Sequence, residues 1–364
     1  MSAPAVTAPA SSSIKATHSD VLEDRPWDRF LSEASRGQYQ QSSIWARVKA
    51  SQGWACSRTL LWDEHGCRGG FQLLHRRTRF GRLGYVTKGP ALANESLDEV
   101  EACTEAIKAA TERLGLRALV VQPPDESGLE LPLLEAGFGH ASLLRVDEAN
   151  LLIDMDDDLD SRIPAATRKR VRQAARRGVT VREGAAEEIG TFYALMAKTC
   201  ERRGVVPNPS EAGLRELWSL FADEADVRVS FAEVGGEPVA GLLCLGYGDC
   251  LTVWKKGWNG AAADARPNHG LYHETLLWAR DAGYRVCDFG GLERGIAATL
   301  LRGEPLSPEQ RAGRDFFNLS FGGRPVLLPR ALILFPNRLP RVAHQWVSRS
   351  RRLSSAAHRW AVTN

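Results

Sequence analysis

Tyr85-Val-Thr-Lys88-Gly89-Pro90, a helical run over 97–114, the stop at Gly115 and the apolar stretch Arg117-Ala-Leu-Val-Val-Gln122 decide how this chain is read. The same grammar returns later. Leu251-Thr-Val-Trp254 runs into Lys256-Gly257, a helical run covers 269–282, Gly283 ends it, and Arg285-Val-Cys-Asp288-Phe289 follows. Lys88-Gly89, Gly115 and Arg117 fall onto Lys256-Gly257, Gly283 and Arg285 at one offset of 168 positions (256 minus 88, 283 minus 115). A single match of this kind is chance. Several at one offset, within one order of elements, indicate an internal duplication.

The surroundings repeat as well. Thr59-Leu-Leu-Trp62 and Gly70-Phe-Gln-Leu-Leu74 flank a turn at Asp63-Glu-His-Gly66, and Val229-Ser-Phe-Ala-Glu233 and Val239-Ala-Gly-Leu-Leu-Cys-Leu245 flank Gly235-Gly236. Both pairs read as β-hairpins. Each half also opens with helix: 26–33 and 44–51 in the first, and Phe192, Leu195, Met196 and Thr199 at helical spacing in the second. Helix, antiparallel strands, helix, strand is an α+β order, a mixed and mostly antiparallel sheet with helices on its faces. The acyl-CoA N-acyltransferase fold called GNAT has this order. Two tandem GNAT-like domains are therefore expected, at 24–147 and 148–325, between a disordered leader (1–23) and a basic C-terminal segment (326–364).

The bulk properties fit that division. At 364 residues the chain is long for one compact core. A net charge of +3 from 47 basic and 44 acidic residues gives no global pull toward nucleic acid, so any polyanion site must come from local clustering. The seven cysteines are scattered without a CxxC pair, the usage of a reduced chain with neither a disulfide frame nor a zinc cage. No stretch approaches the roughly 18 apolar residues of a bilayer span, and a cytoplasmic monomer is expected. The basic segment (Arg330, Arg338, Arg341, Trp346, Arg349, Arg351, Arg352, Arg359, Trp360) reads either as an amphipathic helix resting on the inner face of the plasma membrane or as a solvated tail.

Between the halves lies the most polarised stretch. Asp154, Asp156, Asp157, Asp158 and Asp160 precede Arg162, Arg168, Lys169, Arg170, Arg172, Arg176 and Arg177. A helix is expected from Pro164 to Arg177, ended by Gly178, with Arg168, Arg172 and Arg176 on one stripe. Two readings stand. The stripe is a solvated connector neutralised by the acidic run, or it is a groove edge contacting phosphates of RNA or of a diphosphate-linked substrate.

Gln41-Ser-Ser-Ile-Trp45-Ala-Arg47-Val-Lys49, Tyr85-Val-Thr-Lys88-Gly89-Pro90, Thr167-Arg-Lys-Arg-Val-Arg-Gln-Ala174, Cys287-Asp288-Phe289-Gly290-Gly291 and Phe317-Asn-Leu-Ser-Phe321-Gly322 come in the order seen in the Fem family. Over about 35–325 the chain resembles those peptidoglycan interpeptide-bridge aminoacyltransferases. The resemblance implies two GNAT-like domains with a cleft for substrate. It implies transfer from aminoacyl-tRNA to an amine of a cell-wall precursor, without cofactor or metal. The chain looks like the compact kind that lacks a helical arm. Where the family carries Phe-Lys before its last Phe-Gly, this sequence reads Phe317-Asn318, so the family's reaction-centre lysine is replaced. After Glu201-Arg202-Arg203-Gly204, Val206 and Asn208 stand where a relative has substrate-contacting Thr and Arg.

Aminoacyl transfer from an ester needs positioning, deprotonation of the amine and stabilisation of an oxyanion, but no nucleophile. The sequence shows no G-x-S-x-G elbow and no Cys/His pattern. The catalytic candidates are Asp288, as base or amine holder against the plain reading of a turn cap, and Asn318, as oxyanion donor against a polar strand-edge residue. Substrate binding is assigned to Arg47, Lys49, Lys88, Arg203, Asn208, Trp254, Lys255 and Phe317. The stretch Arg266-Pro-Asn-His-Gly-Leu-Tyr272 fits the coenzyme A loop poorly. Two alternatives remain: an acyl-CoA-dependent N-acyltransferase acting on an amino sugar or peptide, and an inactive scaffold that binds a carrier or tRNA.

Overall fold

A computed structural model describes residues 14–34, 37–79, 81–141, 148–223, 227–313 and 315–336. The chain divides into two units, residues 1–144 with 329–364, and residues 145–328.

The first unit contains β1 (Lys15–Ser19), α1 (Arg25–Glu33), α2 (Ser43–Ser51), β2 (Ala55–Asp63), β3 (Gly66–Thr78), β4 (Gly81–Thr87), β5 (Ala91–Leu92), α3 (Leu97–Arg113), β6 (Leu116–Gln122), α4 (Glu130–Glu135) and β7 (Gly139–His140). Its sheet runs β1-β2-β3-β4-β6, continues through a strand from the far end of the chain, and ends at β7. The helix α3 starts on a Ser96/Glu99 capping box and buries Cys103, Ala106, Ile107 and Ala110 against the sheet.

The parallel pair β4–β6 is paired from Arg82↔Leu116 to Thr87↔Gln122, and the Gly89 N–H extends the ladder to the Gln122 carbonyl at 3.1 Å. Gln41 locks this end. Its amide donates to the Thr87 carbonyl at 2.8 Å and accepts from the Gln72 N–H at 2.7 Å.

The second unit contains β8 (Ala149–Asp154), α5 (Leu159–Arg162), α6 (Ala165–Arg176), β9 (Val179–Glu183), α7 (Ile189–Arg202), α8 (Glu211–Ala222), β10 (Val227–Val234), β11 (Glu237–Tyr247), β12 (Cys250–Trp258), α9 (Pro267–Asp281), β13 (Val286–Gly291), α10 (Arg294–Leu301), α11 (Pro308–Ala312), α12 (Asp315–Leu319) and β14 (Arg324–Leu327). Its sheet order is β14-β8-β13-β12-β11-β10-β9. Only β12–β13 is parallel. Each unit is thus a mixed, mostly antiparallel sheet flanked by helices, the α+β architecture read from the duplicated grammar.

Three expected boundaries are corrected. The leader does not extend to residue 23: Lys15–Ser19 is an edge strand paired with Arg58–Trp62, held by the His18 ring on Thr59 at 2.9 Å. The cut at residue 325 falls inside β14, whose register on β8 keeps residues through Leu327 in the second unit. The C-terminal segment is not separate throughout, because Leu332–Leu334 forms β15 between β6 and β7, where its buried Leu332 completes the first core. An apolar tripeptide with a vacant sheet position gains more by pairing than by solvation. The basic positions from 338 onward lie outside the described residues. Among the described residues no helix is long and apolar enough to cross a membrane.

Candidate functional site

In the second unit the parallel ladder stops early. Cys250–Thr252 pairs with Val286–Asp288, after which the strands part. Two irregularities drive them apart. On β12 the register against β11 jumps from Leu243↔Lys255 to Cys244↔Val253, leaving Trp254 as an extra residue. On β13 the register against β8 slips between Asp288 and Gly291, with Gly290 at φ +83°. Each bulge bends its strand and re-aims the following side chains.

The opening is a pocket of about 790 Å³ lined wholly by residues of the second unit. Trp254, Lys256 and Trp258 come from β12, Phe289 and Gly290 from β13, Tyr272 from α9, Arg203 from the end of α7, and Asp315, Phe317 and Asn318 from α12.

Helix α7 fixes the outer wall. A Cβ on Gly257 would lie 2.6 Å from the Met196 nitrogen, so only glycine lets the helix lie this close to β12. The Thr199 hydroxyl then accepts from the Trp258 N–H at 2.8 Å, and the Arg202 guanidinium lies 5.1 Å from the Trp258 ring centre. Arg202 is occupied by these contacts, whereas Arg203 makes no ion pair among the described residues. Glu148, Glu293 and Asp315 supply carboxylates to the same walls.

The far wall is aromatic. Tyr272 meets Phe289 edge-on at 5.1 Å and Phe317 edge-on at 5.0 Å. The Tyr272 hydroxyl is buried without a hydrogen-bond partner among the described residues, and burial pushes its pKa well up, so it is a neutral donor. Asn318 is buried, and among the described residues its amide makes only a long 3.4 Å bond to the Phe289 carbonyl. One helical turn before it, Asp315 is buried and its Oδ2 accepts from the Glu293 N–H at 3.0 Å.

Comparison with known proteins agrees with this architecture. The acetyltransferase (GNAT) domain family matches residues 165–297. A lipid II:glycine glycyltransferase of Staphylococcus aureus is 26% identical over 199 residues, covering 50% of this chain and 47% of the relative. The chain thus spans about half the length of the curated relatives it matches. A crystal structure of FemX superposes with a TM-score of 0.76 at 16% identity, covering 92% of this chain and 100% of that one. Residues 165–297 thus carry a GNAT domain, and the chain is similar in sequence and fold to Fem-type transferases. L-PGS from Bacillus licheniformis has the same fold at a TM-score of 0.55 and 14% identity, over 90% of this chain and 96% of that one.

The expected residues separate. Trp254, Arg203, Phe317 and Asn318 meet at the pocket, and Asn318 stands on a helix rather than a strand edge. Asp288 does not line it. Its Oδ1 accepts from the Gly290 N–H and its Oδ2 from the Asn150 amide, both at 2.7 Å, which makes it the cap of the β13 turn. Lys255 also misses the pocket: the bulge at Trp254 puts Lys256 on the wall instead, and the Lys255 ammonium sits 4.9 Å from the Trp254 ring centre. Asn208 is exposed ahead of Pro209 and outside the lining.

Arg47, Lys49 and Lys88 belong to the first unit. Arg47 pairs with Glu23 at 3.2 Å, Lys49 donates to Gln52 at 2.9 Å, and Lys88 is buried against Asp125. His273 meets Asp160 at 3.1 Å, while His269 packs edge-on to Phe317 at 5.0 Å. Cys287 is fully buried, and burial pushes its thiol far up, so it is no nucleophile.

Sequence reasoning missed Asp315, Glu293 and Glu148. The signal for Asp315 was its i, i+3 spacing from Asn318.

Proposed function

We propose that this chain transfers an aminoacyl group from aminoacyl-tRNA to an amine of a cell-envelope precursor such as a peptidoglycan peptide, at the pocket of the second unit. The observation that carries this reading is the placement of Asp315 and Asn318 one turn apart on a wall where β12 and β13 part. The acceptor amine attacks the ester carbonyl, a C–N bond forms, and the C–O bond to the ribose breaks. Asp315 takes the proton of the attacking amine, which then passes to the leaving ribose oxygen. The Asn318 amide gives up its long bond to Phe289 and donates to the tetrahedral oxyanion, with the neutral Tyr272 hydroxyl as a second donor. A neutral amide thereby does the work expected of an ammonium. Arg203 and Lys256 hold anionic parts of the substrates, and the aromatic walls exclude water.

The similarity to a glycyltransferase named for lipid II supports a peptidoglycan precursor as acceptor. The test is a transfer assay with charged tRNA, acyl-CoA and a peptidoglycan-precursor peptide. Transfer from the tRNA alone is expected. Transfer from acyl-CoA alone would replace this reading with that of a coenzyme A-dependent N-acyltransferase. Transfer from neither, with tRNA or carrier still bound, would leave a binding scaffold.

A further inference from the structure

Helix α6 turns Thr167 and Ala174 inward and exposes Arg168, Lys169, Arg172 and Arg176, with Arg170 half-buried. Three aspartates of the acidic run before it are paired elsewhere. Asp154 pairs with Arg324 at 3.3 Å, Asp156 with Arg162 at 2.5 Å, and Asp160 with His273 at 3.1 Å. Among the described residues none of the five α6 cations makes an ion pair, whereas the exposed Lys198, Arg215 and Arg302 of the same unit each do. Three carboxylates of the acidic run are thus engaged away from α6.

The uncompensated charge is felt nearby. Burial, then Arg170 and Arg266, hold His269 down at about 4. Helix α6 is also fixed beside the reaction pocket. The Thr167 hydroxyl donates to the Ser320 carbonyl at 2.6 Å, just past α12, and a Cβ on Gly270 of the pocket-lining α9 would sit 3.5 Å from Ala174.

We infer that α6 is the docking surface for the sugar-phosphate backbone of the RNA donor, holding its acylated end toward the pocket. This rests on the proposal that the donor is carried by RNA. Three observations select RNA. Arg168, Arg172 and Arg176 spread charge over about 12 Å of helix at 1.5 Å per residue, longer than one diphosphate needs. The exposed face of α6 carries alanines but no large apolar residue of the kind that anchors a helix in lipid. Phosphate contacts of this sort position a nucleic acid without reading its sequence, which suits a donor recognised at its acyl end.

The test uses the full chain with Arg168→Gln, Arg172→Gln and Arg176→Gln combined, and a charge-matched control with Lys198→Gln, Arg215→Gln and Arg302→Gln. Circular dichroism and thermal melting confirm that both fold. Fluorescence anisotropy follows binding of a deacylated acceptor-stem minihelix between 50 and 200 mM salt. The α6 variant is expected to bind roughly ten-fold more weakly, with a salt slope shallower by about 2 for the lost phosphate contacts, while the control binds like the parent. Equal binding by the α6 variant, equal weakening in the control, or binding of the parent to anionic phospholipid vesicles but not to the minihelix overturns the inference. Because deacylated RNA requires no chemistry, α6-dependent binding without transfer would count against the proposed reaction alone. Transfer with α6-independent binding would count against the docking surface alone.

Discussion

Asn150 and Asp288 are bonded to each other across β8 and β13, the Asn150 amide donating to the Asp288 carboxylate at 2.7 Å. The opposite carboxylate oxygen takes the Gly290 N–H, so the group holds a strand bend in place. Asp288→Asn turns one face of that pair into two amides that cannot both donate. A loss of about 1–3 kcal/mol of stability is expected. Activity per folded molecule should survive with an unchanged pH profile. Urea melts combined with pH–rate curves check this, and loss of one limb of the profile would return Asp288 to the reaction.

Asp315 and Asn318 are expected to behave oppositely to Asp288. Asn318→Ala should lower kcat by about 10²–10³, the usual cost of losing one oxyanion donor, with little change in KM. Asp315→Asn should lower kcat and remove the acid limb of its pH profile. A fall in KM-dependent terms alone, with kcat intact, would show that these residues only bind substrate.

Gly257→Ala forces a methyl against the backbone of Leu195 and Met196, both closer than 3 Å. Neither backbone atom can rotate away. The expected outcome is a destabilisation of about 1–3 kcal/mol, read as a lowered thermal midpoint, together with weaker substrate binding as α7 is pushed off β12.

His269 gives a pH signature. Its folded pKa of about 4 lies below the ordinary histidine value of 6.5, so the unfolded chain takes the proton first as pH falls. Its contribution is intact above 6.5 and is lost progressively down to about 4, up to roughly 3 kcal/mol in total. His269→Phe should flatten the stability profile in that window, measured by urea midpoints. An unaltered slope would show that other groups control acid destabilisation.

The duplication, the order of elements and the helices were legible because glycine stops and apolar periodicity survive in single residues such as Gly115 and Gly283. The site was legible only in part. Trp254, Arg203, Phe317 and Asn318 line the pocket as expected from the sequence, but an even alternation along β12 gives no hint that Trp254 is an inserted residue, and that insertion is what trades Lys255 for Lys256 on the wall. Choosing between two aspartates likewise depended on a bend. Asp288 looked exposed to a ligand because glycines follow it, yet the Gly290 N–H folds back onto one of its oxygens and the Asn150 amide takes the other. Asp315 sat unnoticed at the start of a five-residue helix. The strand Lys15–Ser19 was hidden for a different reason: an edge strand needs only one paired side and carries little apolar pattern.

The parted strands β12 and β13 have one more consequence. Their facing main-chain groups have lost each other as partners, whereas the matching groups of β4 and β6 remain fully engaged up to Gly89. An extended backbone segment entering this slot meets N–H and C=O groups that lack strand partners, so it can pair as a guest strand and mend the torn sheet. Recognition through the backbone in this way is indifferent to most side chains of the guest.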